Sequence, residues 1–536
     1  MTLRRKAECV VRRLPLAALC ALALAQTAPD AVSVRRLRVD LEFLCSGSLE
    51  GRLSLSRGAQ IAASYIAAEF QRVGLAPVKG TGFLQEFPLV AYEPDRQRTQ
   101  LALVRSGKRT EFHERQDFRG GFWQEMAFAA PVIFAGYGIT ALEYGYDDYA
   151  GIDARGKIVL AFDHEPQETD PQSVFNGAGH TRHANSRVKL ENARRHGARA
   201  LLLAGEPLRK HAGAFDPPPT PSAPSLRASA PRQAIDEDSI PLFQISDRAA
   251  AELLQPTGKT PADLQAAIDR DLKPLSKQLA DTALHLRTAG ANLRRAPSAN
   301  VVGLIEGSDP ALRDETVMLT AHYDHLGVHN GRVYPGANDN ASGTAGVMEL
   351  ARLFAANPSR PRRSLMFVVF GSEEEGLLGS YYYVAHPLRP LATTRAVLNL
   401  DMIARDEAHI PQSRGVVEIP TDTTNEINLA GVFYSPDLRD AVMQANQKTG
   451  LQISAKFDRD HDLNALFRCD HFPFLVHDVP AVWFFGGWHP GYHEPSDTVD
   501  HLDFPKLEKV VRLAYWTARS IADSSTPPRF SAAAQK

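Results

Sequence analysis

Apolar residues recur through the second half of the chain in short continuous runs, each closed by a polar or Gly-rich turn. The runs are SANVVGLIEG, ETVMLTAH, RSLMFVVFGS, RAVLNLDMI and VPAVWFFGG. Runs of this length without polar alternation predict strands buried on both faces, and the helical patterns between them predict crossovers. Together they imply an α/β fold with a mixed, largely parallel central sheet flanked by helices. One of those helices starts near Ser342 and carries Val347, Leu350, Ala351 and Phe354 as a single buried stripe. Far upstream, Ala62, Ile66, Phe70 and Val73 fall at helical spacing within 58–75, and Gly74 supplies a stop.

The stretch between these two regions has a different texture. From about Ala130, APVIFAGYGI, GKIVLAF, ALLLA and IPLFQI read as strands, and a helix is expected over 187–196, ended by Gly197. The tract DPPPTPSAP at 216–224 cannot donate a regular set of backbone hydrogen bonds, so it is expected as an exposed loop. No internal repeat is visible.

Composition sets outer limits. At 536 residues the chain is too long for one ordinary core, so two or more domains are expected. Sixty Lys plus Arg balance sixty-two Asp plus Glu, which gives no field that argues for nucleic acid or an anionic membrane surface. The N-terminus departs from this average: Arg4, Arg5, Lys6, Arg12 and Arg13 precede an apolar run over 14–25 and then small residues. That order predicts a secretory signal peptide over 1–28, cleaved near 25–28, with a retained anchor as the alternative. No later segment reaches the roughly 20 apolar residues of a transmembrane helix, so an exported periplasmic or extracellular protein without a stable membrane span is expected. Cys9 and Cys20 would leave with the leader. Cys45 and Cys469 remain, and their spacing does not decide between a disulfide and two buried thiols.

The ends of the apolar runs carry the chemistry. His322, Asp339, Glu374, Asp401 and His493 stand in AHYDHLG, PGANDNASG, GSEEEGLLGS, LNLDMI and GYHEPSDT, at or just beyond expected strand ends or in the loop before a helix. In open α/β sheets that is where ligands bind. Nitrogen and carboxylate oxygen without thiolate suit zinc, and one carboxylate can bridge two ions about 3.5 to 4 Å apart. Asp324, two residues past His322 in an extended segment, is a candidate to orient that imidazole. Glu373 and Glu374 are adjacent and point in different directions, so one can bind metal while the other stays free as a general base. Tyr492 is either a donor to a developing oxyanion or a packed aromatic. His325, His329, His461, His477, His489 and His501 lack the strand-end context and read as ordinary loop histidines. Asp470 and His471 either line the substrate pocket or form a helix cap and a buried ring.

Taken together, the five strings resemble the zinc exopeptidases with two co-catalytic metals that include secreted bacterial aminopeptidases and glutamate carboxypeptidase II. The resemblance implies two Zn2+ per chain. His322 and Asp401 would hold one, Glu374 and His493 the other, and Asp339 would bridge them; Glu373 would be the base and Tyr492 an assisting hydroxyl. FAGYGI, YDDYAGIDARGKIVL and RHGARALLLAG resemble the β-rich protease-associated domain inserted in many of these enzymes. EGRLSLSRGAQIAASYIAAEFQRVGL resembles their N-terminal segment. The implied division is 29–120 for the first part of the catalytic domain, 121–292 for the insertion, 293–525 for the main catalytic domain and 526–536 for a tail. The expected activity is aminopeptidase action on peptides, with the oligomeric state left open. Glutaminyl cyclases, acid-selecting carboxypeptidases and non-catalytic receptors share the scaffold. Cyclases generally lack the insertion, such carboxypeptidases need pocket arginines that the sequence does not place, and receptors lose ligands that this chain keeps.

Overall fold

The computed structural model describes residues 30–532 apart from Lys79, Thr81, Ala178, 210–213, 216–230, Gln412, 414–415 and His461. The leader, the Pro-rich tract and His461 therefore lie outside the described residues.

A nine-stranded mixed sheet forms the larger unit. Its centre consists of four adjacent parallel strands, in the order Ser364–Phe370, Thr316–His322, Thr394–Leu400 and Ala481–Phe485. These are four of the apolar runs read from the sequence, and three of them are buried at every position. Alternate side chains feed two separate cores. Val317, Leu319 and Phe367 meet helices Gly343–Ala356 and Phe504–Asp523, whereas Met318, Met366 and Val368 meet Leu378–Ala385 and Phe472–Val476. The parallel character is confined to this centre and to one edge pair. Gly290–Ile305, Leu84–Pro94 and Arg232–Ile235 extend the sheet antiparallel on one side. Glu426–Ala430 adds antiparallel on the other, followed by Gln452–Ser454.

The amphipathic helix expected over 58–75 runs from Arg57 to Arg72, because the Ser56 hydroxyl accepts from Ala59 N–H at its start and the chain turns away at Val73. It packs with Val34–Leu44 on the main core, burying Leu37, Leu41, Ile66 and Phe70. Ion pairs fix the docking: Arg352 of the helix Gly343–Ala356 reaches Asp40 at 2.6 Å, and Arg36 reaches the buried Glu349. Arg52 is fully buried and donates to the carbonyls of Leu44, Tyr323, Pro335 and Gly336. One side chain thus ties the N-terminal segment to two loops of the sheet.

An eight-stranded sheet forms the second unit. Met126–Phe134, Ile158–Phe162, Ala200–Ala204 and Leu242–Ile245 are parallel neighbours at its middle. The expected helix over 187–196 spans Ser186–Arg195, capped by the Asn185 side chain. The limits of this unit differ from the expected 121–292. Gln100–Arg105, Lys108–Phe112 and Phe118–Gly120 already belong to the second sheet, and the chain leaves it at the end of Lys277–Thr288. The Ser106-Gly107 turn closes the first two of these strands into a hairpin that pairs with Lys277–Thr288. Arg232–Ile235, inside the expected insertion, instead joins the larger sheet. Arg182 holds the two units together, donating to Leu475 O at 2.8 Å, to Asp478 at 2.6 Å and to Glu143 at 2.9 Å.

Cys45 and Cys469 are free thiols, so no disulfide joins them. Among the described residues no helix is long and apolar enough to cross a membrane.

Candidate active site

The carboxyl ends of the four central parallel strands deliver the predicted residues to one place. His322 closes its strand, Asp401 follows Thr394–Leu400 directly, Glu373 and Glu374 follow Ser364–Phe370, and His493 lies in the loop after Ala481–Phe485. Asp339 enters from the turn ahead of the helix Gly343–Ala356. That turn needs glycine at both ends. Gly336 has φ of +56°, and a Cβ there would stand 2.2 Å from Asp339 O; a Cβ on Gly343 would stand 2.0 Å from Leu400 O. The non-Gly residues Ser372, Met402 and His493 also hold positive φ, at 61°, 57° and 56°. Such conformations cost on the order of 1–3 kcal/mol each and persist where surrounding contacts determine them.

Asp339 sits between two groups. Its Oδ1 lies 3.5 Å from His322 Nε2, which is also 3.5 Å from Asp401 Oδ1. Its Oδ2 lies 3.1 Å from His493 Nε2, which is 3.4 Å from Glu374 Oε2. Glu373 stands on the first side, with Oε2 3.7 Å from His322 Nε2. All five residues predicted as ligands, and Glu373, are therefore brought together. Tyr492 stacks on His493 with ring centroids 3.8 Å apart and packs against an apolar cluster that includes Met402, Trp483 and Trp488.

Asp324 acts differently from the expectation. Its carboxylate is 3.7 Å from His322 Nδ1, beyond hydrogen-bonding reach, and that nitrogen pairs instead with the Asp324 carbonyl at 3.2 Å. The carboxylate accepts the N–H groups of Glu373 and Glu374 at 3.0 and 3.3 Å, because the turn after Ser364–Phe370 folds over it. It sets the direction of the acidic pair rather than of the imidazole.

His325 is a second correction. Its Nδ1 lies 2.8 Å from Glu374 Oε1 and its ring is fully buried, so it belongs to the site rather than among the loop histidines. Its hydrogen bond occupies Oε1 and leaves Oε2 on the side of His493. Cys469 does the same for Asp401: the thiol donates to Oδ2 at 2.8 Å, while Oδ1 faces His322. Asp497, inside the quoted GYHEPSDT string, accepts the N–H groups of Asn338 and Asp339. Asp470 and His471 are fully buried, Asp470 accepting from the Ser380 hydroxyl at 2.5 Å, and burial pushes the His471 imidazole down to about 3. His489 is buried in the same loop network, with Nε2 3.0 Å from Asn338 Nδ2.

Charge in this site is concentrated and desolvated. Burial acts to lower His493, but the Glu374 and Asp339 carboxylates overcome it and hold the imidazole at about 9. His322 is likewise carried well above the usual histidine range, against burial, by Glu373 and Asp401. Burial and the neighbouring Glu374 push Glu373 well up despite the opposing pull of His322. His322 Nε2 and Asp401 Oδ1 are buried without a hydrogen-bond partner although they face each other, and His325 Nε2 is also unpartnered. A buried unpaired donor or acceptor costs about 1–3 kcal/mol, and a cation between nitrogen and carboxylate oxygen removes that cost. The donor set, imidazole and carboxylate without a metal-facing thiolate, fits zinc.

Buried imidazoles and carboxylates gathered at the parallel strand ends of a mixed α/β sheet form an arrangement that can hold divalent metal. The stretch 300–517 matches the model of Peptidase family M28. A probable zinc metalloprotease of Leptosphaeria maculans is 31% identical over 222 residues, covering 38% of this chain and 48% of its own. Aminopeptidase YwaD of Bacillus subtilis is 29% identical over 219 residues, covering 40% of this chain and 42% of its own. The chain thus spans less than half the length of these curated relatives. Among solved structures, an aminopeptidase from Aneurinibacillus sp. strain AM-1 aligns over 95% of this chain and 97% of its own, with 19% identity and a TM-score of 0.45.

Proposed function

We propose that the chain is an exported zinc-dependent aminopeptidase that removes N-terminal residues from peptides, with two zinc ions and Glu373 as general base. The observation that carries this reading is the division of Asp339, whose two oxygens face His322 and His493 separately. In this reading His322 and Asp401 hold one ion, Glu374 and His493 the other, and Asp339 is shared. Zinc bound there would lower the pKa of a water and polarise the scissile carbonyl.

The remaining work falls to the protein. Asp324 holds the turn so that Glu374 faces His493 while Glu373 stays beside His322. Burial raises the proton affinity of the Glu373 carboxyl, which suits a group that takes a proton from water and returns it to the leaving amine. Tyr492, stacked on His493, is the candidate donor to the tetrahedral oxyanion. The surrounding carboxylates favour a substrate with a free α-amino group over an internal peptide bond. The basic and apolar leader supports export, and the second sheet is read as the protease-associated domain.

The test is to assay the zinc-loaded mature protein against aminoacyl arylamides, N-blocked peptides and peptides with N-terminal glutamine. Release of arylamine with no cleavage of blocked peptides is expected. Cyclisation of glutamine without hydrolysis, or cleavage from the carboxyl end, would contradict the reading.

A further inference from the structure

A second convergence of imidazoles and carboxylates lies in the other sheet and shares no residue with the site above. Ile158–Phe162 and Ala200–Ala204 are parallel neighbours, so their carboxyl ends lie side by side. His164 leaves the first end and Glu206 the second, while Glu168 and His180 come from the loop between them. His164 Nδ1 is 3.0 Å from Glu168 Oε1 and 3.4 Å from Glu206 Oε1, and His180 Nε2 is 3.5 Å from Glu168 Oε1. The ligand atoms of His164, Glu168 and His180 all fall within 4.8 Å of one another.

We propose that His164, Glu168, His180 and Glu206 form an additional structural site for one zinc-like divalent cation. Ligands about 2.0–2.1 Å from a tetrahedral centre are about 3.3 Å apart, the scale of the His164–Glu168, His164–Glu206 and His180–Glu168 separations. Two neutral imidazoles and two carboxylates carry a formal charge that one divalent ion cancels. Mixed nitrogen and oxygen donors favour zinc over calcium or magnesium, which take oxygen almost throughout. The side chains of His180 and Glu206 are 1% and 2% exposed and those of His164 and Glu168 20% and 11%, so the cluster is enclosed on one side and reachable on the other.

The loop that carries the cluster is already shaped for it. Buried Glu165 accepts both the N–H and the hydroxyl of Thr181, drawing the two ends of the loop together so that the rings of His164 and His180 meet with centroids 4.8 Å apart. The same loop rests on the catalytic unit. A Cβ on Gly179 would stand 2.7 Å from Asp458 O, the His180 ring lies 5.9 Å from Phe467, and Arg182 follows with its bonds to Leu475 and Asp478. A cation here braces the contact between the two sheets and takes no part in hydrolysis.

The test uses the metal-stripped, full-length mature protein and its H164Q/H180Q double variant, titrated with zinc. Wild type is expected to take up one ion per chain more than the variant. Arylamidase activity of the folded variant should stay within about twofold, because the sites are independent. That difference of one ion holds whatever number the catalytic site binds, so failure of the two readings is distinguishable. Crystals of wild type grown in millimolar zinc supply a second measurement that needs no variant. A zinc-edge anomalous peak between His164 and Glu206 is expected. Equal uptake by wild type and folded variant, or no peak at an ordered cluster, would overturn the proposal.

Discussion

The thiol of Cys469 donates to Asp401 Oδ2 at 2.8 Å and so leaves the other oxygen, Oδ1, directed at His322 Nε2. Burial and the adjacent Asp401 and Glu373 carboxylates hold that thiol far above the usual cysteine range, so it stays protonated and acts as a donor. Asn399 Nδ2, 2.9 Å away, donates to the same sulfur. Hydrogen-bond partners one step out from a metal typically account for about 10–100-fold in affinity or activity. C469A is expected to weaken zinc binding by that order and C469S to recover part of it, as read by competition with a chromogenic chelator. Unchanged affinity in C469A would remove the thiol from this role.

Arg52 supports the site from a distance. Its guanidinium satisfies four buried carbonyls drawn from three chain segments, including those of Pro335 and Gly336 ahead of Asp339. R52M keeps much of the volume but leaves those acceptors unpaired, at on the order of 1–3 kcal/mol each before the structure relaxes. A loss of about 3 kcal/mol or more in denaturant unfolding is expected. R52K should recover only part of it, because an ammonium does not reproduce the planar fork.

Zinc binding should depend steeply on pH. In the metal-free protein His493 titrates at about 9, where Glu374 and Asp339 hold it against burial, and His322 stands higher than an ordinary histidine for the same kind of reason. Below that pH the imidazole carries a proton that an entering ion must displace. Apparent zinc affinity should therefore rise about tenfold per pH unit for each displaced proton between pH 7 and 9, and the His493 contribution should level off above 9. Calorimetry in buffers of different ionisation enthalpy reports the protons directly.

The central strands and the side chains that converge at their ends are legible in the sequence because one physical cause produces both. Strands buried on both faces read as unbroken apolar runs, so the polar residues at their ends, His322, Glu374 and Asp401, stand out. Residues whose partners are remote in sequence gave no such signal. Arg52 looks like any surface arginine in GRLSLSRG, and nothing near Cys469 announces Asp401. His325 gives no strand-end signal because its approach to Glu374 depends on the turn after the strand rather than on the strand itself. Leu84–Pro94 was hidden by Pro88 and Pro94, residues that argue against a strand; in the fold Pro88 lies opposite Pro297, where neither has an N–H to offer. The hairpin Gln100–Phe112 lies within the expected first catalytic segment 29–120 yet pairs with the second sheet, because local sequence does not show which sheet a strand pair joins.

The central claim is that Glu373 moves the proton while its neighbour Glu374 holds metal. The direct measurement is zinc content and arylamide turnover of E373Q on the same sample. Two zinc ions per chain are expected to remain, with kcat reduced by about 10²–10⁴-fold, the usual contribution of a positioned general base. Near-normal turnover with full zinc content would contradict the assignment of Glu373, and loss of an ion in E373Q would contradict its separation from Glu374.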